Sequence, residues 1–455
     1  MQEHSFDVVV VGAGPAGEVC AGRLGEAGLT VAIVERELIG GECSYWACMP
    51  SKALLRPAEV LAEVARIPGA VEAVTGELDA AAVLERRDEV IHDLDDSSQV
   101  PWLEERNVAL FRGHGRLDGE RRVRVGDDTV LVARRAVVLA TGSGATVPSI
   151  PGLAQASFWT NRQATTASVV PRRLLILGGG VVGVELAQAW DSLGSQVTIV
   201  ELFDRLLIRE EPFAAETVAK ALQERGVEVL TGAKAVAASR DSVVRLELED
   251  GRTVEGDELL VAVGRRPLTG ELGLETVGLE PGAYVDVDES LRSPEHDWLY
   301  AIGDANGRTL LTHMGKYQGR LAADAIAGKD VRLVSDGALS PRVIFTDPQV
   351  AAVGHTHESA VKAGLRVTAV DQQTSGNAGG SFYGRNVEGA TRLVIDDDRR
   401  VVVGATFVGA EVAEFLHAAT IAVVAEVPLE RLWHAVPSFP TRSEVWLRLL
   451  ETYGL

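Results

Sequence analysis

Residues 7–17 read Asp-Val-Val-Val-Val-Gly-Ala-Gly-Pro-Ala-Gly, and this stretch decides the fold. Its apolar, β-branched first half predicts a strand that is buried on both faces of a parallel sheet. The glycines that follow predict a tight turn and then a helix. Gly12 suits the turn, Gly14 lets the backbone approach a pyrophosphate, and Gly17 lets the helix pack on the strand. The next strand, 30–34, ends at Glu35, which is placed to accept hydrogen bonds from a ribose.

The chain repeats this construction further along. The strand 174–177 leads into a turn with glycines at Gly178, Gly180 and Gly183, and the strand 197–200 ends at Glu201. In both copies the acid stands 23 positions after the first glycine (12 to 35 and 178 to 201). One three-glycine match means little in a chain with 47 glycines, but two in full context predict two dinucleotide-binding units.

The acid at the end of each second strand bears on the choice of nucleotide. Glu201 favours a ribose 2′-hydroxyl over a 2′-phosphate, and therefore NAD over NADP. The alternative for Glu35 and Glu201 is that each is an acid at a solvated strand end.

The stretch 40–52, Gly-Gly-Glu-Cys-Ser-Tyr-Trp-Ala-Cys-Met-Pro-Ser-Lys, carries two of the three cysteines of the 455 residues. Residues five apart in a regular helix are too distant along the axis to form a disulfide, so Cys43 should precede the helix or lie in a distorted first turn. Pro50 places the start of the regular helix near Cys48, where the helix dipole stabilises a thiolate. The alternatives are half of a zinc site or two inert buried thiols, but no second Cys/His pair at ligand spacing follows and no metal is predicted.

Composition limits the partners. Lys and Arg number 44 against 65 Asp and Glu, and the net charge of −21 argues against nucleic acid or an anionic membrane as a partner. The N-terminus is polar, and the apolar run 6–11 is too short for a signal or membrane segment, so we expect a cytoplasmic protein with small substrates. A close cysteine pair in that reducing compartment is expected to cycle between thiol and disulfide.

Taken together, these features resemble the class I flavoprotein disulfide oxidoreductases, the family of dihydrolipoamide dehydrogenase, glutathione reductase and mercuric reductase. The resemblance covers nearly the whole chain. Besides the two glycine turns, it rests on Cys-x4-Cys-x-Pro-Ser-Lys at 43–52, Ala140-Thr141-Gly142, Gly264-Arg-Arg-Pro267, Tyr300-Ala-Ile-Gly303-Asp304, Thr312-His313 with Gln318-Gly319, and Phe345-Thr-Asp-Pro-Gln-Val350.

The resemblance implies an α/β fold with two Rossmann-like dinucleotide-binding domains and a C-terminal α+β dimerisation domain. The expected boundaries are 1–150 for the FAD domain, 151–268 for the NAD(P)H domain, 269–338 for a return segment that completes the FAD domain, and 339–455 for the interface domain. The expected cofactors are FAD and NAD(H), and the expected assembly is a homodimer.

The resemblance also implies roles for single residues at the cofactors. Asp304 would bond the ribityl chain of the flavin, Thr141 and Gly142 would line the FAD, and Gly264 would belong to the cofactor-binding set. Ordinary turns or caps are the alternatives for the first three. His313 matches a flavin-side position, with a core histidine as the alternative.

Lys52 matches the family lysine beside flavin N5, and Glu185 matches its carboxylate partner. Read without the family, Lys52 is a helix-surface charge and Glu185 is a first-turn acid favoured by the helix dipole.

The resemblance assigns the electron path. Hydride passes from the nicotinamide to the flavin, and the flavin then reduces a Cys43–Cys48 disulfide. Cys48 would face the flavin as the charge-transfer thiolate, and Cys43 would be the outer sulfur that attacks the substrate. Cys20, the third cysteine, is expected to be a small buried hydrophobe.

The C-terminal region departs from the family. A hairpin is expected around 396–399 and apolar helices from 413 onward. Where the family carries His-Pro-Thr-x-Ser-Glu, completing the active site of the other subunit, this chain has Phe439-Pro-Thr-Arg-Ser-Glu444. Phe439 cannot move a proton, so we do not expect the acid–base route that the family uses. Glu444 keeps the place of the catalytic glutamate; its alternative is a capping box with Thr441 for a helix over 445–451.

The leading hypothesis is an NADH-preferring, FAD-containing reductase whose Cys43/Cys48 couple serves an unusual disulfide or a quinone-like acceptor. The first alternative is a quinone reductase or pyridine nucleotide transhydrogenase with accessory thiols. The second is a non-catalytic NADH sensor.

Overall fold

The structure is a computed structural model that describes residues 2–385, 387 and 389–455. The chain forms two compact units. The first unit comprises Met1–Pro50, Asp88–Thr146 and Arg265–Gly337, and the second comprises Ser51–Arg87, Val147–Gly264 and Ala338–Leu455.

The strands of the described residues are, in chain order, β1 (Gln2–Val11), β2 (Val31–Glu35), β3 (Val108–Arg112), β4 (Gly115–Leu117), β5 (Arg122–Val125), β6 (Thr129–Leu139), β7 (Ser143–Ala145), β8 (Arg173–Leu177), β9 (Gln196–Val200), β10 (Glu228–Leu230), β11 (Ala235–Arg240), β12 (Val244–Leu248), β13 (Thr253–Gly256), β14 (Glu258–Val261), β15 (Arg265–Pro267), β16 (Leu299–Ala301), β17 (Arg342–Ile344), β18 (Gln349–Gly354), β19 (Val367–Gln373), β20 (Ala390–Asp396) and β21 (Val401–Gly409).

The α-helices of the described residues are α1 (Pro15–Glu26), α2 (Gly41–Tyr45), α3 (Cys48–Ala65), α4 (Ala80–Val90), α5 (Val100–Glu104), α6 (Asn161–Thr166), α7 (Val181–Ser192), α8 (Pro212–Arg225), α9 (Thr312–Ile326), α10 (His357–Lys362), α11 (Leu416–Val424), α12 (Leu429–Leu432) and α13 (Glu444–Tyr453). None of them is both long and apolar enough to cross a membrane.

The first unit is built on a sheet in the order β3-β2-β1-β6-β5-β4, with β16 also paired to β6. Strands β1, β2, β3, β6 and β16 pair in parallel, as the apolar β1 sequence predicts, and Val8–Val11 are at most 4% exposed. Side chains alternate along β1, so that Val8 and Val10 join one buried cluster and Val9 and Val11 another. This central position carries the glycine turn to the carboxyl edge of the parallel strands.

Helices α1 and α9 of the first unit lie backbone to backbone. An added Cβ at Gly319 would lie 2.6 Å from the carbonyl oxygen of Ala16, and one at Gly315 would lie 3.3 Å from the Ala16 Cβ. The two glycines therefore seat α9 directly on the helix that follows the first glycine turn.

The second unit contains a parallel sheet, β10-β9-β8-β14, and two antiparallel sheets, β11-β12-β13 and β17-β18-β21-β20-β19. Its first core packs α7, with the fully buried Trp190, against β8 and β9, and a separate core lies under the five-stranded sheet. The predicted hairpin is confirmed, since β20 pairs antiparallel with β21 across 397–400. The predicted α/β class, with two glycine-turn sheets and a C-terminal α+β portion, is likewise confirmed.

Candidate active site

The first glycine turn leaves a cradle at the N-terminus of α1. Gly12 has φ +104°, and an added Cβ there would lie 2.4 Å from the carbonyl oxygen of Ala140. A Cβ at Gly17 would lie 2.0 Å from the Gly12 carbonyl oxygen, whereas one at Gly14 would meet no described atom within 4 Å. The protein itself therefore demands glycine at 12 and 17, while at 14 open space faces the helix N-terminus, which suits a pyrophosphate.

The second turn has the same form at the N-terminus of α7. Gly178 has φ +110°, an added Cβ at Gly183 would lie 2.0 Å from the Gly178 carbonyl oxygen, and Gly180 faces open space. Gly264, which ends the middle segment of the second unit, also has a positive φ of +137°. Both turns thus fit the predicted dinucleotides.

Glu35 and Glu201 are buried acids, so the alternative of solvated strand ends is wrong. Glu35 accepts hydrogen bonds from the backbone N–H groups of Ala13 and Glu37, both at 2.7 Å. Glu201 accepts the matching pair, from Gly179 and Phe203. Each acid therefore fixes the middle of its own glycine turn while its remaining lone pairs can take a ribose.

Asp304 lies at the centre of a polar network in the first unit that the motifs did not reveal in full. Ser143 donates to Asp304 at 2.5 Å, and Arg265 donates from Nε to the Ser143 hydroxyl at 2.7 Å. Burial raises the pKa of Asp304, and the hydrogen bond from Ser143 partly offsets this. The hydroxyl oxygen of Thr141 is buried without a hydrogen-bond partner among the described residues, and Gly142 next to it has φ +70°. The unpaired Thr141 hydroxyl and the buried Asp304 carboxyl are groups that can hydrogen-bond a polar cofactor, and they therefore fit FAD.

The cysteine pair lies where helices begin in the first unit. Cys43 is in the short helix α2 and Cys48 is the first residue of α3, so the predicted helix start near Cys48 is confirmed. The Sγ atom of Cys48 lies 3.3 Å from the hydroxyl of Thr312, the first residue of α9. A hydrogen bond with Cys48, together with burial and the Cys48 charge, raises the pKa of Cys43. The Cys43 thiol is therefore harder to ionise than a free cysteine as long as Cys48 and burial act on it alone.

Cys20 and His313 differ from each other in burial. Cys20 is fully buried and burial raises its pKa to about 12, which confirms the expected small hydrophobe. His313, the second residue of α9, is exposed, so its alternative as a core histidine is wrong.

Lys52 and Glu185 form an ion pair in the second unit. Lys52 Nζ lies 2.7 Å from Glu185 Oε2, and the Glu185 side chain is only 4% exposed. The other carboxylate oxygen accepts the backbone N–H of Phe345 at 2.9 Å, and the Lys52 ammonium lies 4.7 Å from the centre of the Phe345 ring. Glu185 is the fifth residue of α7 rather than a first-turn acid, so that alternative is wrong. Sequence reasoning found this pair but not Phe345 as its third member.

The C-terminal run contradicts the predicted capping box. The Thr441 hydroxyl donates to the carbonyl oxygen of Ser438 at 2.6 Å, and Ser443, which precedes α13, makes no side-chain cap. Helix α13 begins at Glu444 itself, because the chain is already helical at Ser443. One Glu444 carboxylate oxygen is buried without a hydrogen-bond partner among the described residues, and Phe439 is 75% exposed.

Comparison with known proteins agrees with this geometry. Residues 6–323 match the family model described as pyridine nucleotide-disulphide oxidoreductase, and residues 340–449 match its dimerisation domain. A dihydrolipoyl dehydrogenase of Chlorobaculum parvum is 34% identical, with 96% of this chain and 95% of the relative covered. A mercuric reductase of Lysinibacillus sphaericus is 29% identical, with 98% and 82% covered.

Among solved structures, the HOCl-induced flavoprotein disulfide reductase RclA from Escherichia coli is similar at a TM-score of 0.86 and 25% identity, with 98% of this chain and 99% of that chain covered. LpdA from Mycobacterium tuberculosis shares the fold at a TM-score of 0.86, with 24% identity and 100% of both chains covered. The chain therefore belongs to the pyridine nucleotide-disulphide oxidoreductase family and is an NAD(P)H-dependent flavoprotein disulfide oxidoreductase that uses FAD and assembles as a homodimer.

Proposed function

We propose that the protein passes electrons from NADH by way of FAD to the Cys43/Cys48 couple, and from there to a small disulfide or a quinone-like acceptor. The observation that carries the proposal is the contact of the two thiols with each other and of Cys48 with the N-terminus of α9. Bound FAD supplies the two-electron link between a nicotinamide and a disulfide.

The residues proposed to hold the FAD belong to the first unit. Gly12, Gly14 and Gly17 would receive its pyrophosphate, Glu35 its ribose, and Thr141, Gly142, Asp304 and His313 the flavin side. Gly178, Gly180, Gly183, Glu201 and Gly264 of the second unit would bind the nicotinamide nucleotide. The bonds that Glu201 accepts from Gly179 and Phe203 leave a carboxylate that would repel a 2′-phosphate, which supports a preference for NADH.

The sulfur chemistry is thiolate–disulfide exchange at both steps. The Cys43 thiolate attacks one sulfur of the acceptor disulfide, forms a mixed disulfide and releases the first thiolate. The Cys48 thiolate then attacks the Cys43 sulfur, which reforms the Cys43–Cys48 disulfide and releases the second thiolate. Two electrons and, at neutral pH, two protons leave with the products.

Lys52 and Glu185 are proposed to act as a pair in this cycle. The carboxylate keeps the ammonium ionised and oriented, and Phe345 covers it on one side. A fixed positive charge favours electron-rich states of a neighbouring ring. Because the Glu185 carboxylate is also bonded to the Phe345 N–H, it cannot swing away from the lysine without leaving that N–H unpaired.

The acceptor must be one that dispenses with a histidine at 439. The unpaired oxygen of Glu444 supports the view that the expected imidazole partner is replaced by Phe439. An exposed phenyl ring offers apolar surface and no proton, which favours a quinone-like acceptor as a second candidate. Because a close thiol pair cycles where disulfides are kept reduced, we also propose that the enzyme works in the cytoplasm.

Trapping the thiols after reduction tests the relay. Anaerobic NADH should make both Cys43 and Cys48 of the FAD-bound dimer reactive towards a maleimide, and should produce a long-wavelength absorption band that Cys48→Ser abolishes. Cys20→Ala is the matched control, because this thiol is fully buried and outside the relay. Absence of both signals in the wild type would refute the relay.

A steady-state screen identifies the acceptor. Lipoamide, glutathione disulfide, aromatic disulfides and quinones should each be compared with NADH and NADPH. Quinone or transhydrogenase turnover that survives Cys43→Ala would favour accessory thiols, and reduction without turnover on any acceptor would favour a sensor.

A further inference from the structure

One face of α9 is directed at the thiol pair. The hydroxyl of Thr312, its first residue, lies 3.3 Å from Cys48 Sγ, and the same hydroxyl lowers the pKa of Cys43. Lys316 follows four residues later, so its side chain lies on the same face of the helix. Lys316 is exposed, and its charge also acts on Glu18 of α1. An exposed ammonium therefore stands one helical turn from the residue that contacts Cys48.

The packing of the first unit fixes this placement. Helix α9 is seated on α1 through Gly315 and Gly319, and an added Cβ at Gly41 of α2 would lie 2.9 Å from Gly14 Cα at the start of α1. Helices α2 and α9 are therefore both held by α1. Backbone contacts therefore fix the position of the α2 backbone at Cys43 relative to the α9 backbone at Lys316.

We propose that Lys316 is a positioning residue that stabilises the Cys43 thiolate through its charge, in place of the imidazolium that Phe439 cannot supply. The proposal rests on the thiol relay described above. It assigns to a lysine of the first unit a role that neither the motifs nor the family matches assign.

The electrostatics of the pair agree with the geometry. The hydrogen bond with Cys48 and burial raise the pKa of Cys43, while the Thr312 hydroxyl and the Lys316 charge act in the opposite direction. Of the acids nearby, Glu42 on α2 lies 3.9 Å from Arg265, and Glu18 on α1 faces Lys316. Burial raises the pKa of Glu18 to about 7, so around neutral pH this acid only partly cancels the lysine.

This assignment narrows the class of acceptor. A fixed ammonium stabilises a thiolate but does not supply a proton to the leaving group as a histidine would. The best acceptors should therefore be disulfides whose released thiols have a low pKa and leave as thiolates. Aromatic disulfides should be turned over faster than lipoamide, whose alkyl dithiol has a higher pKa.

Alkylation of the reduced enzyme tests the proposal directly. The FAD-bound dimer is reduced with dithiothreitol, and the dithiothreitol is then removed anaerobically. The reduced enzyme is treated with iodoacetamide at a series of pH values from about 5.5 to about 9, and peptide mass spectrometry quantifies the adduct on Cys43. Lys316→Met should lower the Cys43 alkylation rate near neutral pH on the order of fivefold and move its profile to higher pH. Lys316→Arg should restore the wild-type profile. Arg320→Met, an exposed cation one turn further along α9, should leave it unchanged.

Salt dependence separates a charge effect from a structural one. Raising the ionic strength from about 0.02 M to about 0.5 M should shrink the difference between wild type and Lys316→Met, because an exposed charge is screened. An unchanged Cys43 profile in Lys316→Met, or a difference that salt does not reduce, would overturn the inference.

The same preparation distinguishes this inference from the relay. Alkylation after dithiothreitol does not depend on electron delivery from NADH, whereas alkylation after NADH does. If the Cys43 profile shifts in Lys316→Met after dithiothreitol but NADH produces no labelling, the role of Lys316 is kept and the relay is refuted. If NADH produces labelling but the Cys43 profile does not shift in Lys316→Met, the relay is kept and the role of Lys316 is refuted.

Discussion

A phenyl ring stands at position 439, where the resemblance places a histidine, and 75% of its surface is exposed. Glu444, five residues later, keeps one buried oxygen without a partner among the described residues. We therefore propose that the proton-transfer half of the expected site is missing in this chain, while the carboxylate that would orient it is retained. We therefore expect the Cys43/Cys48 exchange to be kept, and only acceptors that need a proton from a histidine to be disfavoured.

Restoring the histidine should restore lipoamide turnover. Phe439→His provides an imidazole that Glu444 can orient, and general acid–base catalysis contributes about 10²–10⁴-fold where it is well placed. We expect kcat with lipoamide to rise at least about tenfold. This is less than the full contribution of a general acid–base group, because the new imidazole is not placed by an optimised geometry. Phe439→Asn, which is polar but moves no proton at neutral pH, is the control. Wild-type turnover of lipoamide at the level of a dihydrolipoyl dehydrogenase would contradict this account.

Glu18 should make the stability depend on pH. Burial raises its folded pKa from 4.5 to about 7, so the unfolded chain loses this proton at lower pH than the folded chain does. As pH rises from 4.5 towards 7, ionisation therefore stabilises the unfolded state and the free energy of unfolding falls. Glu18→Gln should then be equal to wild type near pH 4.5 and more stable by about 2 kcal/mol at pH 8. Urea unfolding of both proteins at the two pH values measures this; a constant difference would contradict it.

At the scale of the element, α7 serves two purposes. Its N-terminus carries the second glycine turn, and its buried face holds the chain that leads into β18. Glu185 accepts the N–H of Phe345 and Gln188 accepts the N–H of Asp347 at 2.7 Å. Asp347 in turn receives Arg66 and Arg225. One helix thus fixes the Lys52 partner and the start of the C-terminal sheet together.

Removing the Gln188 amide should loosen that connection. Gln188→Leu leaves the buried Asp347 N–H without an acceptor, which costs about 1–3 kcal/mol. The loss should appear in the urea midpoint, and the rate of NADH-dependent reduction should fall as Glu185 becomes less well held. Gln223→Leu, an exposed glutamine of α8, is the matched control. If both variants lose stability equally, the hydrogen bond to Asp347 is not the cause.

The sequence predicted those elements whose causes are local. The β-branched run before Gly12 and the spacing to Glu35 suffice to place β1, α1 and β2, because turn geometry and parallel pairing follow from residue type. The predicted capping box at Thr441 was wrong because the Thr441 hydroxyl donates to the carbonyl oxygen of Ser438 instead. The loop conformation determines this bond. Ser143 gave no signal, since it gains its role from Asp304, more than a hundred positions away. Phe345 and Arg265 each stand in a motif of the resemblance, but the motif did not state their roles, which depend on equally distant partners.

At the scale of the whole molecule, the C-terminal region still presents apolar surface. Val436 is 82% exposed, Phe439 75% and Ile421 53%, within residues that match a dimerisation domain. Such surface on a chain of net charge −21 is best explained by coverage in the homodimer. Phe439 is one of these exposed residues. This agrees with the family resemblance, which implies that the C-terminal run of one subunit completes the active site of the other.

Mixed dimers should reveal that exchange. A chain carrying both Phe439→His and Cys43→Ser has the imidazole but no outer thiol, while the wild-type chain has the thiol but no imidazole. If the site is completed across the dimer, each mixed dimer has one site with the wild-type Cys43 and the histidine of its partner. Random reassembly of equal amounts makes half of the dimers mixed, so lipoamide turnover should reach about a quarter of that of the Phe439→His dimer. Differently tagged chains allow the mixed dimer to be purified and assayed alone, where the figure should rise to about half. Turnover no higher than the sum of the two parent proteins would show that each chain builds its site by itself.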